Sequence, residues 1–324
     1  MYSSAPNVWF FYIGGILAGA SSGLFGTIPM NLLLSNWFYD KRGTMTGIAY
    51  TGSSLITSLL SPIVSKLIIE FGWRASYRIL AISIIVIVCI TILLIRLKPE
   101  DIGQKPYGTA GKTEAEIQPT GFMRRDAMKK SWFWLYTVGI FLIGLIVSGT
   151  SQQLVTYWTS EGISAEKAAA LYSLVMIIGL VAKIMLGNVF DRLGSSKSII
   201  VCGVICAVAF VSLALCLGDI SAFVPSVLFG IVTAELVILP TFTTQRIFGR
   251  IDYAANVSLF TTILFLGSSF GIPLCAGIFD ITGSYRAAWF IYAVIAVILT
   301  FLFYLSNKLS IRAFRTELNI ERED

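Results

Sequence analysis

The chain has 324 residues, 56% hydrophobic and only 13% charged, with a mean hydropathy of +0.80. A soluble domain covers its surface with roughly 25% charge, so lipid must be part of this protein's solvent. There is no histidine, which excludes histidine relays, histidine metal ligands and histidine-dependent triads, and no metal or cofactor is expected.

Charge-poor runs dominate the chain. A membrane span needs about 20 mostly apolar residues and must satisfy its own backbone, so these runs predict α-helices; they are too continuously apolar for barrel strands. Nine spans are expected, near 8–31, 45–69, 76–96, 132–155, 168–188, 199–217, 223–244, 255–279 and 286–306. The first run lacks a basic leader and reads as a span rather than a cleavable signal peptide. Gly43, Gly47 and Gly52 recur at helical spacing and permit close helix packing. Residues 97–131 hold Pro99, Gly103, Pro106, Gly108, Gly111, Pro119 and Gly121 among charges, a linker composition, and end in a basic stretch, 123–130, suited to a short helix on the membrane surface. Cys89, Cys202, Cys206, Cys216 and Cys275 all fall within spans and are expected to be inert thiols without disulfides.

The basic balance, a net charge of +6, is read as topology rather than as affinity for nucleic acid. With the loop after the first span in the cytoplasm, only Lys66, Arg74, Arg78, Lys167 and Arg286 of the 24 Lys and Arg residues fall on the far side. That leaves 19 inside, a positive-inside bias. The N-terminus is then expected outside and the C-terminus in the cytoplasm.

The two sides of the linker are related. A shift of 211 residues brings Pro29 onto Pro240, Pro62 onto Pro273 and Gly72 onto Gly283. Internal repeats are a common construction of secondary transporters. On this reading the six-span unit that starts near Ser131 has a partner whose start lies about 80 residues upstream of Met1, leaving room for three absent spans.

The loop Gly187-Asn-Val-Phe-Asp191-Arg192-Leu-Gly194-Ser-Ser-Lys197 has the form G-x-x-x-D-R-x-G-x-x-K. It resembles the loop that marks each half of a major facilitator superfamily transporter. Residues 37–52 with Gly72-Trp73-Arg74, 99–103, 106–108, 131–134 and 162–170 are similar to the monocarboxylate-porter and oxalate/formate-antiporter branch. The resemblance covers nearly the whole chain. It implies an all-α, polytopic membrane protein with a truncated major facilitator fold of about nine helices, 3+6. Residues 1–97 would be the second half of an N-terminal six-helix bundle, 98–130 a cytoplasmic linker, 131–307 the C-terminal six-helix bundle and 308–324 a cytoplasmic tail. It further implies no enzyme but a secondary active transporter in the plasma membrane, carrying a small monocarboxylate-like organic anion by alternating access. Protons are a candidate coupling ion. Lipid is the other partner, and no obligate protein partner is evident. The competing reading is a non-transporting remnant or sensor on a transporter scaffold. A membrane enzyme is disfavoured by the absence of HExxH and of paired carboxylates at helical spacing in a span.

Ionisable residues inside spans usually face a cavity or a partner. Lys183 lies four residues before Gly187, where monocarboxylate-porter relatives carry an Arg that pairs with the substrate carboxylate. Lysine offers a point charge rather than a bidentate fork; the alternative is a side chain snorkelling to the interface. Glu235 is a candidate to pair with Lys183 or to take up a proton, against a helix-bonded carboxyl without a transport role. Gln152, Gln153 and Tyr157 are candidate cavity linings, with Trp158 read as an interfacial anchor. The resemblance places Asp191 near the positive end of a helix around Gly43–Thr46. Gly187, Asp191, Arg192, Gly194, Lys197, Asp40, Arg42, Gly43, Gly47 and Gly52 form the gate set, against a solvated turn carrying positive-inside charge.

Overall fold

The computed structural model describes residues 3, 7–109, 120–216 and 221–317. Their regular structure is helical: α1 Val8–Phe25, α2 Thr27–Trp37, α3 Arg42–Leu94, the short α4 Arg124–Ala127, α5 Ser131–Ser160, α6 Ala165–Leu193, α7 Ser195–Ala214, α8 Phe223–Phe248, α9 Tyr253–Thr282 and α10 Tyr285–Glu317. Eight helices among the described residues are long and apolar enough to cross a membrane, with α1 and α2 making one run, Val8–Trp37, and α3 contributing Lys66–Leu94. The ninth expected span, 45–69, is helical as the first part of α3 but is not one of the eight. A break at Gly72, with φ +73°, separates it from the rest of α3; this left-handed geometry suits a residue without Cβ.

The chain divides into two compact units, one of Met1–Asp40 with Gly52–Lys112, the other of Lys41–Thr51 with Thr113–Asp324. In the first unit the spans keep most of their apolar side chains exposed. Its local ties gather around the turn between α2 and α3. Tyr107 N–H donates to Trp37 O, and Tyr39 N–H donates to Tyr107 O, each at 2.8 Å. Asn36 and the Trp37 indole donate to the carbonyls of Leu97 and Arg96.

The second unit is a packed bundle in which α5 lies against α9 and α10, α6 against α8, and α7 against α10. Glycines bring the helices together: a Cβ on Gly144, Gly149, Gly267 or Gly271 would fall 2.0–2.5 Å from a backbone carbonyl across the α5–α9 seam. Small residues drive such packing in membranes because lipid supplies no hydrophobic force between helices. Tyr136, Phe133, Phe248, Phe260 and Phe303 fill the core with edge-on and tilted ring contacts. Pro240 lacks an N–H and so interrupts the hydrogen bonding of α8. There Tyr136 donates to Pro240 O at 3.0 Å and meets the Thr243 and Thr244 hydroxyls.

The end of the linker is stitched to the turn between α8 and α9. Phe122 N–H donates to Phe248 O, Arg250 N–H to Thr120 O and Arg124 N–H to Asp252 Oδ2. Of the expected surface helix at 123–130, one turn forms, as α4. No disulfide joins the five cysteines, and all but Cys89 are buried.

Candidate functional site

The sequence-derived residues that come together do so where the start of α3 meets α6, within the second unit. Asp191 is near the end of α6, which Gly194 terminates at φ +77°. Its Oδ2 accepts the Thr44 N–H at 2.9 Å and the Thr44 hydroxyl at 2.7 Å. The free N–H groups of a helix's first turn carry partial positive charge, so a carboxylate is stabilised there. Asn188, one turn back on α6, accepts from the same hydroxyl at 3.0 Å. Farther along, Gly47 presses on the backbone of Lys183, where a Cβ would sit 2.3 Å from the Lys183 carbonyl oxygen. Thr51 donates weakly to Leu180 O at 3.5 Å. These contacts, 44 to 188 and 191, 47 to 183 and 51 to 180, define an antiparallel seam.

Lys183 is buried at 9% exposure, and its Nζ donates to Tyr50 O at 3.4 Å. A lysine snorkelling to the interface would leave its ammonium in water; this side chain is buried on the seam. Gly187 is buried on the same helix, while Arg192 and Lys197 are exposed. Asp40 is exposed in the first unit, packed against Gly108 at φ +88°. The side chains at Arg42 and Gly43 lie outside what is described. Among the described residues nothing lies within 4 Å of a Cβ position on Gly52, unlike Gly47.

Other expected residues sit elsewhere. Glu235 is 2% exposed, and its Oε1 has no hydrogen-bond partner. It lies within electrostatic reach of Cys202 and Cys206 of α7. It forms no ion pair with Lys183, because on α8 it is turned to a different neighbour. Tyr157 lines no opening: it is fully buried, donates to Leu213 O at 2.6 Å and packs edge-on against Trp289. Trp158 is also fully buried rather than interfacial. Gln152 is exposed, and Gln153 accepts from Tyr285. Sequence reasoning missed Tyr50, Asn188 and the Arg286–Glu161 ion pair, whereas Thr44 falls in the stretch Gly43–Thr46 beside which Asp191 was expected. Arg286 had been read only as a far-side charge, and nothing in the local sequence distinguished Tyr50 or Asn188.

Comparison with known proteins places this arrangement in context. The family model described as Major Facilitator Superfamily matches residues 1–271. Monocarboxylate transporter 12 of Rattus norvegicus is 26% identical over 89% of this chain and 64% of its own length. Monocarboxylate transporter 2 of Homo sapiens is 24% identical over 90% and 65%. The oxalate:formate antiporter of Oxalobacter formigenes is 25% identical over 86% and 64%. The chain thus spans just under two thirds of the length of these relatives. Among solved structures, the transporter FucP in its outward conformation aligns with a TM-score of 0.59 at 13% identity, over 82% of this chain and 68% of that one. A structure of the E. coli fucose:proton symporter FucP aligns at 0.55 and 12% identity, over 72% and 56%.

Proposed function

The chain belongs to the Major Facilitator Superfamily, and from that premise we propose that it works as a secondary transporter of a small organic anion, monocarboxylate-like, by alternating access. It is a multi-pass membrane protein and not an enzyme. The observation that carries the reading is Lys183: an ammonium buried in a membrane-spanning helix, on a seam closed by Asp191 at the N-terminus of α3. Burying a cation in the bilayer is costly, and a carboxylate guest offsets that cost by charge-assisted hydrogen bonding. The names of the relatives, monocarboxylate transporters and an oxalate:formate antiporter, support a carboxylate of this size. A point-charge lysine favours one carboxylate without demanding bidentate geometry. Asp191 and Thr44 are read as a latch that breaks when the seam opens, with Gly187, Gly194 and Gly47 shaping it. Protons are the proposed coupling ion, in a plasma membrane with the C-terminus in the cytoplasm. The proposed division of labour is two half-bundles, 1–97 and 131–307, joined by the linker 98–130.

The test is uptake of labelled lactate, pyruvate, formate and oxalate into proteoliposomes, with and without an inward proton gradient. Uptake should be saturable and gradient-stimulated, and Lys183→Ala should abolish it while membrane insertion is unchanged. Normal uptake by Lys183→Ala removes that residue from the site; no binding or uptake of any of the four anions by the unaltered chain sinks the transport reading.

A further inference from the structure

The seam between α3 and α6 uses Lys183 twice. Its backbone carbonyl receives Gly47, a point of close helix approach, and its ammonium holds the Tyr50 carbonyl three residues along α3. At 3.4 Å this bond is long for N–H···O, so a carboxylate can displace it at small cost. We propose that the Tyr50 carbonyl is a resting partner of Lys183 that an incoming anion displaces, with Gly47 a positioning residue that keeps the carbonyl within reach. The proposal rests on Lys183 being the anion's ligand.

Displacement withdraws one of the ties across the seam, next to the Thr44 bonds to Asn188 and Asp191. Anion binding and seam closure therefore oppose each other, and the coupling is reciprocal. Whatever loosens the seam tightens anion binding, and bound anion loosens the seam. Ala at 47 would loosen it, because the obstructing atom 2.3 Å away is backbone that no rotamer change can move.

The experiment uses the full chain with its five cysteines replaced by alanine and the pair Thr44→Cys, Asn188→Cys, whose native side chains meet at 3.0 Å. The rate of disulfide formation is measured with and without saturating lactate, and lactate affinity is measured separately by tryptophan fluorescence. Lactate should slow cross-linking about threefold to tenfold, as loss of one weak charged hydrogen bond allows, and should have no effect in Lys183→Met. In the chain with native Thr44 and Asn188, Gly47→Ala should bind lactate about threefold to tenfold more tightly while its maximal uptake rate falls. That tightening should vanish in the Gly47→Ala, Lys183→Met double variant. If Gly47→Ala does not fold, the cross-linking arm decides alone. Lactate binding that needs Lys183 yet leaves the cross-linking rate unchanged overturns the proposal. Lactate binding unaffected by Lys183→Met instead overturns the parent reading of Lys183.

Discussion

Two glycines six residues apart on α9 should respond in opposite directions to the same substitution. A Cβ on Gly271 would lie 2.0 Å from Leu145 O and 2.9 Å from Leu145 C, whereas one on Gly277 would meet nothing within 4 Å. Ordinary contact begins near 3.4 Å, so Gly271→Ala must part α5 and α9 locally by about 1.4 Å or distort one of them. The obstruction is backbone, and it belongs to a line of close approaches at Gly144, Gly149 and Gly267, with Ser148 donating to Ser268 at 2.8 Å between them. Overpacking of this kind costs about 1–3 kcal/mol, and a rigid obstruction puts it toward the upper end. Gly277→Ala meets no obstruction and gains about 0.5–1 kcal/mol from reduced backbone entropy. The difference between the two variants is therefore about 2–4 kcal/mol. Reversible unfolding in mixed micelles measures it, followed by the fluorescence of Trp132, Trp158 and Trp289, all buried in the same unit. If Gly271→Ala proves as stable as Gly277→Ala, close approach through glycine does not hold α5 to α9.

Further substitutions probe the other ties. Tyr157→Phe deletes a buried 2.6 Å bond to Leu213 O, a carbonyl that still accepts from Cys216 N–H. It should cost about 1 kcal/mol in the same unfolding assay and leave anion affinity unchanged; a shifted affinity would return Tyr157 to the substrate path. Gly121→Val meets both a φ of +154° and Phe248 O at 2.5 Å, so it should unstitch the linker end from the turn between α8 and α9. Faster proteolysis around residues 120–124 is the expected readout, with the folded bundle intact. Asp191→Ala removes the carboxylate at the start of α3, worth about 0.3–1 kcal/mol at an exposed site. Amide exchange at residues 44–47 should quicken by a few-fold, and Asp191→Asn, which can still accept from Thr44, should recover part of the protection.

Hydropathy made the helices legible, because a bilayer demands long apolar runs and internally satisfied backbones. Proline and glycine made part of the internal relation legible: Gly72 and Gly283, 211 residues apart, both take positive φ. The ends of the linker extend that relation. Tyr107 pairs with Trp37 and Tyr39 in the first unit; residues 120–122 pair with Phe248 and Arg250 in the second. A shift of 211 carries Phe38 and Tyr39 onto Gly249 and Arg250, so each linker end is bound to the corresponding turn. No sequence pattern announced these stitches, because they run between backbone atoms and ask of the residues only that a Cβ be absent at Gly121 and Gly249. The same limit governs the candidate site. Lys183 stood out as a charge in an apolar helix, and Asp191 by its loop. Tyr50 contributes a main-chain oxygen, so its side chain carries no trace of the contact. Glu235 shows the converse failure: a carboxyl in a span attracts a functional reading, yet which way it points depends on the rotation of α8 against α6 and α7, fixed by packing such as Gly230 on Ile178 of α6 and Phe229 near Phe210 of α7. Charge in a span marks where desolvation must be compensated; helix rotation decides what compensates it, and here that separates Lys183, which donates to a carbonyl, from Glu235, enclosed beside two thiols.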